Sequence, residues 1–303
     1  MIYGLALLTM TEYIIMRTPP LTRFFSFAQA RKYWLTSLLL SFTAISQVKA
    51  EDVKIGVVSN GLIVDSIYVA ADLAKEQGIN VEVIEFSDWV LPNTAVLNKD
   101  IDINYFQHEP FLTNAEEERG FDLIPLAYGV EGLMGIYSKE FDKAEDIPAG
   151  STIAVADDPV NQGRGLLLLE QAGLITLPEG IGYHASLYDI EDNPLDLSFV
   201  ELPGPQLPRA FEDVAAILSY PHYIKSSGVT DPADALLFHI DDTHTFALRF
   251  VVHPDNEDAP AIHQFISIYQ QAPEVKASLE EAFGDSSLYQ LAWEYFPPLE
   301  LSE

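Results

Sequence analysis

Lys54-Ile-Gly-Val-Val58, then Ile63-Val-Asp-Ser-Ile-Tyr-Val-Ala-Ala-Asp-Leu-Ala74, then Asn80-Val-Glu-Val-Ile-Glu-Phe86 decide the fold class. The first and third stretches are apolar or alternate with period two, which is the pattern of strands. In the second, Ile63, Ile67, Ala70, Ala71 and Ala74 recur at helical spacing and mark an amphipathic helix ending near Gly78. A strand, a helix and a strand in close succession form a parallel crossover, and a chain that repeats this unit builds an α/β sheet.

Downstream the pattern continues. A short helix is expected around Thr94 to Asn98, then a half-buried strand in which Ile101, Ile103 and Tyr105 alternate with Asp100, Asp102 and Asn104. His108 and Pro110 open the next helix. Asp122 to Tyr128 and Leu133 to Ser138 read as strands, and the intervening Gly129 and Gly132 let the chain bend from one lobe to another. A second set follows: a strand at Thr152 to Ala156, a helix from about Asn161 to Ala172, a strand at Val214 to Ser219 and a return strand at Phe246 to Val252. From Asp258 onward Ile262, Phe265, Ile266 and Tyr269, then Leu279, Ala282 and Phe283, give helices that should pack back on the first lobe. There is no internal repeat and no low-complexity linker.

Upstream, Arg31 and Lys32 precede the apolar stretch Tyr33 to Ile45, and Val48-Lys49-Ala50 supplies small residues before Glu51. This is the pattern of a cleaved export signal, too short for a span of about 20 apolar residues. A start at Met16 would leave a more ordinary signal, with Arg17 and Arg23 in front of the apolar run. The expected division is a signal peptide over 1–50, the first part of lobe 1 over 51–130, lobe 2 over 131–245, and a return to lobe 1 over 246–303.

The formal net charge is −30 over 303 residues, and since residues 1–50 carry five basic side chains against one acid, the remainder is more acidic still. Such a surface repels phosphate backbones and anionic head groups, so nucleic acid and the membrane surface are disfavoured as partners. The chain has no cysteine. That removes disulfides, thiolate metal sites and cysteine nucleophiles, and also the residue that would carry a lipid anchor. A soluble, non-lipidated periplasmic protein, monomeric, is the expectation.

Five stretches stand in a characteristic order: Phe86-Ser-Asp-Trp-Val-Leu-Pro-Asn93, Phe106-Gln-His-Glu-Pro-Phe-Leu112, Gly135-Ile-Tyr-Ser-Lys139, Asp158-Pro-Val-Asn-Gln-Gly-Arg164 and Gln206-Leu-Pro-Arg209. Together they resemble the methionine-binding (NlpA-type) lipoprotein family, the solute receptors of methionine ABC importers. The resemblance runs from Lys54 to Asp258. It implies a two-lobed α/β fold of the periplasmic-binding-protein kind (type II), with two crossing strands and a cleft that closes on its ligand. It also implies a periplasmic receptor that captures a small carboxylate and docks on an inner-membrane ABC permease.

Arg164, after a strand, a proline and a glycine near a helix start, suits a carboxylate beside free backbone N–H groups. The resemblance gives it the same role, and it carries Asn161 in the same stretch. Trp89, Phe106 and Phe111 match positions that wall the ligand's side chain, and His108 sits where a strand gives way to a helix, an edge at which open α/β sheets bind ligands. Where the resemblance implies two asparagines on the ligand's amino and carboxylate groups, this chain has Tyr220 and Leu248, and after the first strand it reads Asn60-Gly-Leu-Ile63. Those departures weaken methionine binding, because a buried polar group left unpaired costs about 1–3 kcal/mol. Arg164, with Tyr220 and His222 newly at hand, favours a carboxylate with an apolar or aromatic body.

Two other readings are open. His239-Ile-Asp-Asp-Thr-His244, with His222, offers imidazole and carboxylate ligands for a transition metal, at a spacing that matches no established zinc pattern. An exported hydrolase would need a serine elbow, a zinc helix or a triad, and neither Gly-x-Ser-x-Gly nor His-Glu-x-x-His occurs. No enzyme activity and no cofactor are expected.

Overall fold

β1 (Glu51–Val58) and β2 (Ile79–Phe86) run parallel in unbroken register, from Glu51 opposite Ile79 to Val58 opposite Phe86, and α1 (Ile63–Glu76) crosses between them. The computed structural model describes residues 51–59, 63–239 and 243–296. The proposed export signal therefore lies outside the described residues, as do Asn60, Gly61 and Leu62. Val53, Ile55 and Val57 point into the core by alternation. Ile63, Ile67, Ala70 and Ala74 bring one face of α1 onto them, each fully buried branched side chain contributing about 1.5–3 kcal/mol.

After α2 (Leu91–Leu97), β3 (Ile103–His108) pairs with β1, and α3 (Glu109–Arg119) leads to β4 (Ile124–Tyr128). β5 (Val130–Gly132) then carries the chain to β6 (Met134–Tyr137), which belongs to a second sheet. That sheet also contains β7 (Thr152–Ala156), β8 (Ser198–Leu202), β9 (Ala216–Ser219) and β10 (Leu237–His239), with α4 (Pro159–Gln171) after β7 and α5 (Pro221–Ser227) after β9. β11 (Leu248–Val252) returns to the first sheet, and α6 (Pro260–Gln271) and α7 (Pro273–Phe283) follow. β12 (Tyr289–Leu291) pairs with β5 as a two-stranded ribbon.

The two sheets share one plan. Their orders are β2-β1-β3-β11-β4 and β8-β7-β9-β6-β10. Each has three parallel strands followed by an antiparallel one, β11 or β6, that has just arrived from the other sheet, and then an edge strand. This is the two-lobed periplasmic-binding-protein fold with two crossings.

Several elements depart from the sequence expectation. β1 begins at Glu51 rather than Lys54, because pairing with Ile79 and Asn80 needs only backbone groups. β3 begins after Ile101, which instead packs with Val96, Leu112 and Leu123. α4 begins at Pro159, two residues before the expected start, since Asp158 caps it. β5, β8, β10 and β12 were not foreseen. α6 and α7 pack on the first sheet's side of the molecule, where Ile262, Phe265, Tyr269, Leu279 and Phe283 share a core with Val53, Ile55 and Phe250.

Candidate functional site

A cleft opens where the parallel strands of both sheets end. From the first sheet it takes Val57 and Val58 at the end of β1 and Phe106, Gln107 and His108 at the end of β3. From the second it takes Asn161 on α4 and Tyr220, His222 and Tyr223 around the start of α5. It encloses about 770 Å3 of empty space, its open mouth included. The carboxyl ends of parallel strands leave unpaired backbone groups and helix starts side by side, which is why ligands collect there.

Eight of the nine residues singled out in the sequence line this cleft: Trp89, Phe106, His108, Phe111, Asn161, Tyr220, His222 and Leu248. The ninth, Arg164, stands immediately behind the wall and is 1% exposed. Its Nη2 donates to the Gly132 carbonyl at 3.2 Å and its Nη1 reaches the Tyr220 hydroxyl at 3.5 Å. The guanidinium carbon lies 4.2 Å from the Phe246 ring centroid and 5.5 Å from that of Tyr220. Among the described residues no carboxylate pairs with it, and its Nε has no hydrogen-bond partner.

The expected setting of Arg164, beside free N–H groups at a helix start, is corrected. Arg164 sits in the second turn of α4, and the helix start is already occupied: Asp158 Oδ1 accepts from the Asn161 backbone N–H at 2.9 Å. The cap-plus-proline pattern Asp158-Pro159 fixes that start.

Asn161 joins the two lobes. Its Nδ2 donates to both Asp158 oxygens, at 3.0 and 3.1 Å, which leaves Oδ1 turned toward the cleft. That oxygen accepts from the Tyr220 hydroxyl and lies 3.2 Å from His108 Nε2. His108 Nδ1 in turn accepts from the Phe111 N–H at 3.2 Å and caps α3. Nδ1 as acceptor and Nε2 facing an acceptor fix the neutral tautomer with the proton on Nε2. Burial, reinforced by the Arg164 charge, lowers the His108 pKa to about 3. Burial raises Asp158 to about 6 and Tyr220 to about 12.

The aromatic wall is built of edge-on contacts. Trp89 and Phe106 each meet Phe111 at 5.8–5.9 Å, nearly perpendicular. His222 is 9% exposed, lies 4.2 Å from Tyr223 and 5.4 Å from Phe283, and burial lowers its pKa to about 3. Its Nδ1 has no partner among the described residues.

Sequence reasoning missed Phe246, Tyr223, Tyr105 and the cleft-facing edge of α1, Ile63, Val64 and Ile67. Their apolarity was legible, but an apolar residue that walls a cleft carries the same signal as one in a core. Three had a positional cue: Tyr105 stands next to Phe106, Tyr223 next to His222, and Phe246 two residues before Leu248 on the returning segment.

The metal reading is not supported by the arrangement. Among the described residues no three His, Asp or Glu groups come together as a metal site. His244 Nδ1 lies 2.9 Å from Glu131 Oε2, His239 stacks edge-on to Phe246 at 6.0 Å, and His222 packs among aromatic rings. Asp241 and Asp242 lie outside the described residues.

The family model described as NlpA lipoprotein matches residues 53–290. The D-methionine-binding lipoprotein MetQ of Yersinia pestis is 37% identical over 223 residues, covering 73% of this chain and 82% of that protein. Among solved structures, a nutrient binding protein from Burkholderia cenocepacia bound to methionine superposes with a TM-score of 0.71 at 35% identity, covering 77% of this chain and 97% of that one. An ABC transporter periplasmic substrate-binding protein from Coxiella burnetii gives a TM-score of 0.71 at 33% identity, over 77% and 97% of the two chains. With nearly all of residues 51–303 inside the family model and the two-lobed fold shared, the chain belongs to the NlpA lipoprotein family.

Proposed function

We propose that this chain is the periplasmic receptor of an ABC importer and that it captures a small carboxylate in the cleft, with Arg164 as the anion's counter-charge. The observation that carries the reading is Arg164 itself: a guanidinium 1% exposed, held by Gly132, Tyr220 and Phe246, with no carboxylate partner among the described residues. A buried charge without a counter-ion is costly, and a ligand carboxylate with charge-assisted hydrogen bonds repays that cost. Trp89, Phe106 and Phe111 supply the apolar wall for the ligand's body.

The chemistry is binding, not turnover. His108 and Asn161 are saturated by each other, by Phe111 and by Asp158, so neither is poised to move a proton. Ligand contacts to both sheets favour the closed arrangement, because only differential affinity for that state drives closure. The closed receptor, a monomer, then docks on the permease. We assign residues 1–50 to a cleaved export signal, 51–130 with 246–303 to lobe 1, and 131–245 to lobe 2. The relatives named for methionine make that amino acid the reference ligand, while Tyr220 and Leu248 at the two departing positions argue for a different cargo.

Native mass spectrometry of the purified protein tests the reading. The expected result is a retained small molecule, released on denaturation, that carries a carboxylate. A retained metal ion, or a ligand without an anionic group, would overturn it.

A further inference from the structure

Of the side chains that line the cleft, His222 alone has a fully buried polar atom, Nδ1, with no hydrogen-bond partner among the described residues. Asn161 Oδ1, by contrast, is taken by Tyr220 and His108, and the Tyr220 hydroxyl by Asn161 and Arg164. Both His108 nitrogens are engaged, by Asn161 and the Phe111 N–H, and the Gln107 amide is held by Asn93 and Asn104. The His222 ring is fixed in place: it stacks with Tyr220 at 5.7 Å, and Tyr223 and Phe283 flank it at 4.2 and 5.4 Å. A Cβ at position 132 would stand 3.8 Å from Nδ1, so Gly132 leaves the approach to that nitrogen open. Burial, offset by no hydrogen bond or charge, lowers the His222 pKa to about 3. The imidazole is therefore neutral and able to accept.

Arg164 touches the same two residues, donating to the Gly132 carbonyl from Nη2 and reaching the Tyr220 hydroxyl from Nη1. A carboxylate held by Arg164 brings the ligand's α-carbon toward His222. We propose that His222 is a specificity-determining residue of the cleft: with its proton on Nε2, its Nδ1 accepts a hydrogen bond from a donor on the ligand's α-carbon, an ammonium or a hydroxyl. This deepens the receptor reading and rests on Arg164 as the carboxylate's partner. It also restores an acceptor to a chain in which Tyr220 and Leu248 stand at the two departing positions. A ligand that lacks the donor leaves the buried nitrogen unpaired, and a site built to hydrogen-bond a group rejects the analogue without it.

The test is isothermal titration calorimetry of the dialysed protein with two series of one body each: L-methionine, 2-hydroxy-4-(methylsulfanyl)butanoate and 4-(methylsulfanyl)butanoate, and L-phenylalanine, 3-phenyllactate and 3-phenylpropanoate. In at least one series an α-substituted acid should bind at least about tenfold more tightly than the unsubstituted one, and the better of the two substituents names the donor. His222→Phe and His222→Leu, which remove the nitrogen, should cut that advantage to less than about threefold while the unsubstituted acid binds as before. His222→Asn, with an amide oxygen near the place of Nδ1, should keep part of it. Thermal melts establish that each variant is folded. An unsubstituted acid that binds the parent as tightly as its α-substituted partners, or an advantage that the folded apolar variants retain, overturns this inference and leaves the carboxylate receptor standing. Failure of all six compounds to bind the parent would overturn both.

Discussion

Trp89, which follows β2 of the first sheet, closes directly on Gly204, which follows β8 of the second: a Cβ placed on Gly204 would overlap the indole ring. The contact is inter-lobe and has room for hydrogen only. Gly204 does not have a positive φ, so a methyl group there is resisted by the indole and not by its own backbone.

Gly204→Ala should therefore hold the lobes apart while leaving each intact. The cost of forcing one methyl into a closed contact is about 1–3 kcal/mol, which corresponds to a loss of affinity of about 5- to 150-fold. Small-angle scattering in the presence of ligand should show a larger radius of gyration than the parent, and calorimetry the weaker binding; unchanged affinity would show that the contact is not part of the closed state.

Replacing Arg164 separates binding from stability. Arg164→Met removes the cation and keeps much of its apolar bulk, so the ligand-free protein should be as stable as the parent or more so, because an uncompensated buried charge is lost. Binding should fall by about 2–5 kcal/mol, or roughly 30-fold or more. Thermal melts with and without ligand read both effects, and a variant that binds as well as the parent would remove Arg164 from the site.

Acid should destabilise the fold through its buried histidines. His108 and His222 titrate near 6.5 in an unfolded chain, but burial keeps them neutral in the fold down to about 3. Their contribution is complete above pH 6.5 and is lost as the pH falls toward 3, by about 1.4 kcal/mol per pH unit for each. Asp158 acts in the opposite sense: raised from 3.8 to about 6, it weakens the fold as the pH rises through that window. Two histidines outweigh one acid, so Tm should fall between pH 6 and pH 4. His222→Leu should make that fall markedly shallower, and an identical pH slope in the variant would refute its neutral burial.

The strand–helix–strand opening was legible because β1, α1 and β2 each put one consistent face into the core, and periodicity records faces. Trp89, Phe106, His108 and Phe111 were legible as a group only through their neighbours in the quoted stretches, since each side chain alone would also suit a core. What local pattern does not record is who meets whom across distance. Arg164 reaches the carbonyl of Gly132, 32 residues away, and Asn161 reaches His108, 53 residues away. The ribbon of β5 and β12 was invisible for a related reason: strands of three residues are too short for alternation to be diagnostic, and their pairing is made by backbone groups. The start of α4 is legible in Asp158-Pro159, a capping side chain followed by a first-turn proline.

The place of β11 between β3 and β4 has a consequence for how the molecule comes into being. The second sheet is drawn from one continuous stretch, β6 to β10, and has all its strands once residue 239 has been delivered. The first sheet has four of its strands by residue 128, yet β3 and β4 face a gap that only residues 248–252 can fill. The lobe that emerges first is thus completed last. During that interval its two unfilled edges expose backbone groups to any other extended chain, and the arrival of β11 both heals the sheet and ties the two lobes together in a single closing step.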